Sequence, residues 1–170
     1  MNAINELPSG RLETEIARVF ALHQQRKLEL REATAEQRLE KLRRLRAAVM
    51  AHKEDILAAA HSDMRKPRVD ALLGEIMPVT QAVDLALKHL RRWMRPQRVK
   101  TPVNMLGTRG EIRYEPKGAT LIIAPWNVPV FLSFVPLTSA VAAGCTAIIK
   151  PSEMTPALGA VIRTIVAEVF

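Results

Sequence analysis

The feature that most constrains the fold is an alternation of strand-like and helix-like segments over residues 119–170. The short runs ATLIIAP and TAIIKP are apolar and rich in β-branched residues, which is typical of strands buried on both faces of a parallel sheet. A nearly all-apolar segment ending at Gly144 separates them, and a helix with Thr155 as N-cap and Pro156 at its first position follows. This β-α-β-α order predicts an α/β fold with a parallel sheet and right-handed crossovers.

The sequence before residue 95 instead predicts helices that pack through one face. Two runs have apolar residues at helical spacing: Leu39, Leu42, Leu45 and Val49, then Leu72, Ile76, Val79, Val83, Leu87 and Leu90. Pro78 lies inside the second run and is expected to kink the helix, because proline cannot donate to the carbonyl of Gly74. Residues 98–118 contain prolines, glycines and a short stretch of alternating apolar and polar residues. This pattern predicts a linker or hairpin outside the core.

The charge distribution argues against a nucleic-acid partner. Of the formal charge of +8, most comes from six bases with no acid between Lys88 and Lys100. Elsewhere acids and bases alternate, and Glu40 lies four residues before Arg44, as in a solvated helix face. The basic segment matches no nucleic-acid motif, so salt-dependent polyanion binding is kept only as a third hypothesis.

Cysteine usage and hydropathy indicate a cytoplasmic protein without a membrane partner. The single cysteine, Cys145, has no partner for a disulfide, and no charged segment followed by an apolar one opens the chain. Prolines, Asn127 and Gly144 interrupt the apolar region over residues 118–149. No stretch therefore approaches the roughly 20 apolar residues that cross a bilayer.

Unusual polar and aromatic side chains follow the two predicted strands. Trp126 and Asn127 come after the first strand, and Lys150 ends the second. Ligands of open α/β sheets bind outside the carboxyl ends of the strands, so these residues predict a binding site there. The alternative is structural: a turn at Asn127, a gap filled by Trp126 and a solvated Lys150.

No G-x-G-x-x-G motif follows either strand. The four histidines have no mutual ligand spacing, so no metal site is expected: His23, His52, His61 and His89.

Three segments in order, GATLIIAPWNVPV, PLTSAVAAG and IIKPSEMTPA, resemble the N-terminal part of the NAD(P)-dependent aldehyde dehydrogenases. The stretches LGEIMPVTQAVDLALKHLRRWMRPQRV and GEIRYEPKG resemble the class 3 group and its coniferyl-aldehyde dehydrogenase branch. The resemblance implies an incomplete Rossmann-like cofactor domain, with its helical part over residues 1–97 and its first β-α-β-α unit over residues 119–170. It further implies that residues 98–118 form a hairpin for subunit association and that the catalytic domain is absent.

The resemblance also implies roles for individual residues. Asn127 matches the asparagine whose amide donates to the oxyanion formed when a cysteine thiolate attacks the aldehyde. Lys150 and Glu153, with Ser152 between them, match residues that bind the ribose hydroxyls of NAD or NADP. The nicotinamide side would be lined by Ile123, Ala124, Pro125 and Trp126. An aldehyde substrate and a homo-oligomeric complete enzyme follow from the same resemblance.

The sequence departs from the family pattern at several positions. Val128 replaces a bulky aromatic residue after P-W-N, and Cys145 replaces the asparagine after A-A-G. Cys145 is not expected to be the nucleophile, because it precedes the second strand on the far side of a helix from Asn127. The family's cysteine, catalytic glutamate and pyrophosphate-binding glycine turn come later in the chain, whereas this sequence stops at Phe170.

The leading hypothesis is that these residues are the N-terminal part of an enzyme that oxidises an aldehyde to a carboxylic acid with NAD(P)+. The isolated chain is then expected to be inactive, and part of the apolar run over residues 121–149 is expected to be exposed. The alternative is a non-catalytic module that associates with full-length subunits.

Overall fold

The computed structural model describes residues 9–170, apart from the side chains of residues 9, 11 and 12. The helices of this part are α1 (Ser9–Arg31), α2 (Ala35–Ala51), α3 (Lys53–Met64), α4 (Arg68–Ala71), α5 (Met77–Trp93), α6 (Pro129–Ala143) and α7 (Pro156–Val169). Its strands are β1 (Gln97–Val99), β2 (Gly110–Ile112), β3 (Ala119–Ile123) and β4 (Thr146–Lys150).

Strands β3 and β4 form a parallel pair whose register runs from Ala119 opposite Thr146 to Ile123 opposite Lys150. Helix α6 connects the two strands, and α7 follows β4. The backbone N–H of Ala124 donates to the carbonyl of Lys150 at 3.0 Å, which extends the pairing past the end of β3. The predicted α/β fold with a β-α-β-α unit after the N-terminal helices is confirmed.

Both apolar stripes of the N-terminal helices enter one core with α6 and α7. The inward side chains of α2 and α5 are almost completely buried, and they pack with Phe134 of α6 and Ile165 of α7. Burial of each leucine or valine contributes roughly 1.5–3 kcal/mol. The structural interpretation of the two stripes is confirmed, and the core holds the sheet against the N-terminal helices.

Burial of β3 on both faces was expected and is not observed. Ile122 is only 5% exposed and packs into the core, whereas Leu121 and Ile123 are 61% and 67% exposed. Alternate residues of a strand point to opposite faces, and no element within residues 9–170 covers these two side chains. The expected exposure of part of the apolar run over residues 121–149 is therefore observed.

The helix containing Pro78 departs from the sequence-based expectation. Residues Leu72–Ile76 form a π-helical turn between α4 and α5, and the N–H of Met77 donates to the carbonyl of Leu72. Pro78 then lies in the first turn of α5, where a missing donor costs little. The irregularity thus precedes the proline, and Glu75 within this turn is completely buried.

Residues 97–112 form an antiparallel hairpin outside the core. Gln97 pairs with Ile112 and Val99 with Gly110, and a 3₁₀ turn (Val103–Met105) lies between the strands. A Cβ atom at Gly110 would approach Val99 Cγ2 to 2.8 Å, so the pairing favours glycine there. Apolar side chains remain exposed along this segment: Val103, Met105, Leu106, Ile112 and Tyr114.

Surface charges pair differently from the sequence-based expectation. Glu40 bonds to Arg43 at 3.1 Å, and the expected partner Arg44 instead donates to the carbonyl of Glu168. Within the basic segment, Arg91 makes a bidentate pair with Glu36, which reduces the local positive charge.

Within residues 9–170, no helix combines the length and hydropathy needed to cross a membrane.

Candidate functional site

The parallel pairing of β3 and β4 brings the predicted site residues to one edge of the sheet. Ile123 and Lys150 are opposite each other at the carboxyl ends, so the loop before α6 and the loop before α7 begin side by side. The structure therefore places all eight predicted residues on these two adjacent loops or the strand ends: Ile123, Ala124, Pro125, Trp126, Asn127, Lys150, Ser152 and Glu153.

Most of the β3–α6 loop, residues 124–128, faces solvent. Ala124 is buried beneath it, but Pro125, Trp126 and Asn127 are exposed. Trp126 is 57% exposed, so the alternative that it fills a gap in the core is wrong within this chain. An aromatic face and a side-chain amide are thus available at the strand end.

The β4–α7 loop, residues 151–155, presents charged and hydroxyl groups. Lys150 Nζ donates to Glu153 Oε2 at 2.6 Å, and both side chains are exposed. The hydrogen bond from Lys150 is the main reason that the pKa of Glu153 is lowered from its ordinary value. Ser152 Oγ accepts a hydrogen bond from the backbone N–H of Met154 at 3.2 Å. The loop therefore carries donors and acceptors suited to a polyhydroxylated ligand.

A buried carboxylate caps the helix that follows the β3–α6 loop. Glu75 has no exposed surface, and its Oε2 accepts from the backbone N–H groups of Val130 and Phe131 at 3.0 and 3.4 Å. These are orphan donors of the first turn of α6, where a negative charge also interacts favourably with the helix dipole. Val128 occupies the N-cap position and supplies no side-chain cap, so the capping acceptor comes from the π-helical turn.

Lys66 connects this cap to the candidate site. Its Nζ donates to Glu75 Oε1 at 2.6 Å and to the backbone carbonyl of Asn127 at 2.8 Å. The Lys66 side chain is only 15% exposed, so the ion pair is largely protected from water. One ammonium group thus contacts both the helix cap and the residue expected to donate to an oxyanion.

Helix α7 has a similar cap from Asp63 of α3. The two carboxylate oxygens accept from the N–H groups of Ala157 and Leu158 at 3.2 and 2.9 Å. Thr155 occupies the predicted N-cap position, but its side chain makes no capping bond. In the part of the chain that the structure describes, its buried hydroxyl has no hydrogen-bond partner, and Asp63 supplies the capping acceptor instead.

The sequence analysis did not single out Asp63, Lys66 or Glu75. The sequence pattern did indicate an unusual position for Glu75. This residue lies on the inward apolar stripe of its helix, three residues after Leu72 and four before Val79. An acidic residue on such a stripe is rarely buried without a partner. Its partner is not predictable from spacing, because Val130 lies 55 residues away in the sequence.

Cys145 lies at the opposite end of β4 from the candidate site. It is buried and precedes the strand, five residues from Lys150, a separation of about 16 Å at strand geometry. Its neighbour Gly144 has a φ of 80°, and a Cβ atom there would approach the Arg38 guanidinium carbon to 2.5 Å. The buried Arg38 donates to the carbonyl of Ala142 at 3.1 Å, and burial lowers its pKa. This end of α6 has a structural role.

The described residues contain no cluster of three or more His, Cys, Asp or Glu side chains that could hold a metal ion. His52 bonds through its two ring nitrogens to Asp55 at 2.8 Å and to Glu168 at 3.0 Å. Hydrogen bonds to Asp55 and then Glu168 raise the pKa of His52. This contact joins the start of α3 to the end of α7, away from the sheet edge.

The sequence matches the aldehyde dehydrogenase family over residues 4–170. It is 34% identical over 133 residues to aldehyde dehydrogenase family 3 member H1 of Arabidopsis thaliana, covering 78% of this chain and 28% of that protein. It is also 36% identical over 137 residues to a protein described as a probable coniferyl aldehyde dehydrogenase from Pseudomonas aeruginosa, covering 80% of this chain and 29% of that protein. The predicted resemblance to class 3 and coniferyl enzymes is confirmed.

The fold matches a solved structure of Staphylococcus aureus AldH in a substrate-bound state, with a TM-score of 0.88 and 37% identity. The match covers 91% of this chain and 34% of the other. The chain thus spans about a third of the length of the relatives it matches. On the agreement of sequence and fold, the chain belongs to the aldehyde dehydrogenase family.

Proposed function

We propose that these residues form the N-terminal part of an enzyme that oxidises an aldehyde to a carboxylic acid with NAD or NADP. The observation that carries the proposal is the meeting of the Asn127 loop and the Lys150–Glu153 pair at one strand edge. This is the position at which open α/β sheets bind their ligands. Membership of the family supplies the reaction class.

The residues present fit a dinucleotide. When bound, NAD or NADP supplies the acceptor for a hydride. Lys150 and Glu153 are exposed and carry the donor and acceptor that two vicinal ribose hydroxyls require. Ser152 adds a hydroxyl on the same loop. Ile123 through Trp126 would line the nicotinamide side, where the exposed Ile123 and Trp126 offer apolar surface.

The proposed role of Asn127 is to donate its side-chain amide to the oxygen of the aldehyde as negative charge develops there. A preorganised donor of this kind contributes about 3 kcal/mol in comparable oxyanion sites. Asn127 is exposed, so its amide is accessible to a substrate beside the sheet edge. Its backbone is bonded to Lys66, which supports a fixed geometry.

We propose that the isolated chain does not catalyse this oxidation. A thiolate nucleophile and a base to activate it are required, and Cys145 is buried at the opposite end of β4. Purified residues 1–170 should show no NAD(P)+-dependent oxidation of an aldehyde. In contrast, residues 1–170 joined to the remaining part of Staphylococcus aureus AldH, the relative of the solved structure, should restore activity.

Cofactor binding by the chain alone is tested by a titration with NAD+, followed through the fluorescence of Trp93 and Trp126. Saturable quenching that is lost in Lys150→Ala and retained in Asn127→Ala would support the assigned division of roles. A folded chain that shows no quenching would mean that the cofactor site needs the remaining part of the enzyme. A Lys150→Ala variant that binds as well as wild type would contradict the assigned roles.

A second candidate function is a module that associates with full-length subunits in the cytoplasm as part of a homo-oligomer. The exposed apolar side chains of the hairpin favour this candidate, notably Val103, Leu106 and Tyr114. Sedimentation of the chain with and without Leu106→Asp tests it. Association that is unaffected by this charge would rule out the hairpin as the contact surface.

A further inference from the structure

We propose that Lys66 and Glu75 are positioning residues that hold the Asn127 loop in the conformation needed for oxyanion donation. The inference rests on the proposed function, because it assigns these two residues to the same site. Its basis is that one ammonium group, Lys66 Nζ, bonds both to Glu75 at 2.6 Å and to the backbone carbonyl of Asn127 at 2.8 Å.

The hydrogen bonds fix the loop at three points. At its start, Ala124 N–H donates to the carbonyl of Lys150 at 3.0 Å. In its middle, the Asn127 carbonyl accepts from Lys66. At its end, Val130 N–H donates to Glu75 at 3.0 Å. Because the peptide plane that follows Asn127 is held, the direction of its Cα–Cβ bond, from which the amide extends, is restricted.

The burial of the pair makes this arrangement rigid. Glu75 has no exposed surface and Lys66 is 15% exposed. A buried carboxylate is tolerated when its oxygens are hydrogen-bonded, and both Glu75 oxygens are: Oε1 by Lys66 and Oε2 by two backbone N–H groups. If Lys66 moved away from Asn127, the buried carboxylate of Glu75 would also lose its partner. The bonds of Lys66 to Asn127 and to Glu75 are therefore energetically coupled.

An interpretation in which Lys66 only stabilises the fold does not account for its second bond. Asp63 caps α7 through two N–H groups and has no lysine partner within the described residues, so a helix cap by itself requires no bridging ammonium group. The bond to Asn127 involves the residue expected to contact the reacting oxygen. Displacement of a catalytic donor by about 1 Å is enough to lower a rate roughly 100-fold.

The kinetic test uses residues 1–170 joined to the remaining part of Staphylococcus aureus AldH. Lys66→Met removes the ammonium group at similar length, and kcat should fall about 10- to 100-fold while KM for NAD+ stays within about twofold. Lys66→Arg should restore part of kcat. Arg68→Met is the matched control, because Arg68 lies two residues away and pairs with the exposed Glu54. It should leave kcat unchanged.

A double-mutant cycle separates positioning from general destabilisation. If Lys66 acts through Asn127, Lys66→Met should have no further effect on kcat in an Asn127→Ala background. Equal effects of Lys66→Met in both backgrounds would overturn the proposal. A loss of activity that is fully explained by a smaller fraction of folded protein would overturn it as well.

An inactive wild-type fusion would count against the proposed function and not against the loop geometry. A second measurement tests the loop geometry independently of activity. Amide hydrogen exchange of residues 1–170 should show faster exchange of the Val130 N–H in Lys66→Met than in wild type, and no change at Leu158. The NMR signals of the Asn127 side-chain amide should shift as well. Unchanged exchange at Val130 together with unchanged Asn127 signals would overturn the proposal.

Discussion

The two loops at the carboxyl ends of β3 and β4 differ in how they are held. Each is followed by a helix that is capped by a carboxylate from the N-terminal helical region, Glu75 for α6 and Asp63 for α7. The β3–α6 loop is further bonded through Lys66 to the backbone of Asn127. In the β4–α7 loop, the side chains of Lys150 and Glu153 bond to each other in solvent.

This difference agrees with the two roles proposed for the loops. A donor to an oxyanion works best when its position is fixed before the charge develops, because no reorganisation is then required. Groups that bind ribose hydroxyls gain from being able to exchange partners when the ligand arrives. The N-terminal helices therefore do more than cover the sheet: they supply a capping carboxylate after each loop, and Lys66 adds a bond to the backbone of the β3–α6 loop.

Glu75→Ala should have the largest effect on stability. It leaves Lys66 without its carboxylate and the first-turn N–H groups of α6 without an acceptor. Breaking a buried ion pair by removing one partner costs about 3–5 kcal/mol, and urea unfolding would measure it. Glu54→Ala is the matched control, since Glu54 pairs with Arg68 at the surface and should leave the urea midpoint unchanged. Similar losses for the two variants would contradict the assigned role of burial.

Asp63→Ala should have a smaller effect, because the half-buried Asp63 has no buried counter-ion among residues 9–170 and its loss exposes helix N–H groups nearer to water. A helix cap of this kind contributes about 1 kcal/mol to the free energy of unfolding. Asp63→Asn keeps one acceptor and should cost less. If Asp63→Ala destabilised the chain as much as Glu75→Ala, the two caps would be equivalent and the contrast between the loops would fail.

The sequence was sufficient for the order of elements and for the sheet edge at which the candidate residues lie. Strand-like and helix-like periodicity is a local property, so β3, α6, β4 and α7 were predicted, as was the edge at which Asn127 and Lys150 meet. Exposure of part of the apolar run over residues 121–149 was expected, but the apolar character of Leu121 and Ile123 did not indicate which side chains would be exposed, because burial depends on which element covers a face of the sheet. The π-helical turn before Pro78 was not predicted either, because the proline in the sequence predicts only a kink.

The hydrogen bonds that fix the two loops could not be predicted from the sequence in this way. Lys66 and Asn127 are separated by 61 residues, and Asp63 and Leu158 by 95. Such bonds depend on how the helices pack, and nothing in the residue types alone specifies which carboxylate reaches which helix. For the same reason Thr155 was a reasonable candidate for a side-chain cap, although Asp63 accepts the N–H groups instead.

The smallest expected effect concerns the β4–α7 loop itself. The hydrogen bond from Lys150 lowers the pKa of Glu153, so Lys150→Ala should raise that pKa toward its ordinary value. Carbon-detected NMR titration of the Glu153 carboxylate measures the change, and Arg163→Ala, which removes a cation from α7, is the control. Since the folded-state pKa is depressed, the stabilisation by this pair is present above the unfolded-state pKa and is lost as pH falls through the folded-state value. An unchanged Glu153 pKa in Lys150→Ala would mean that the backbone holds this carboxylate, so that the β4–α7 loop, too, is preorganised.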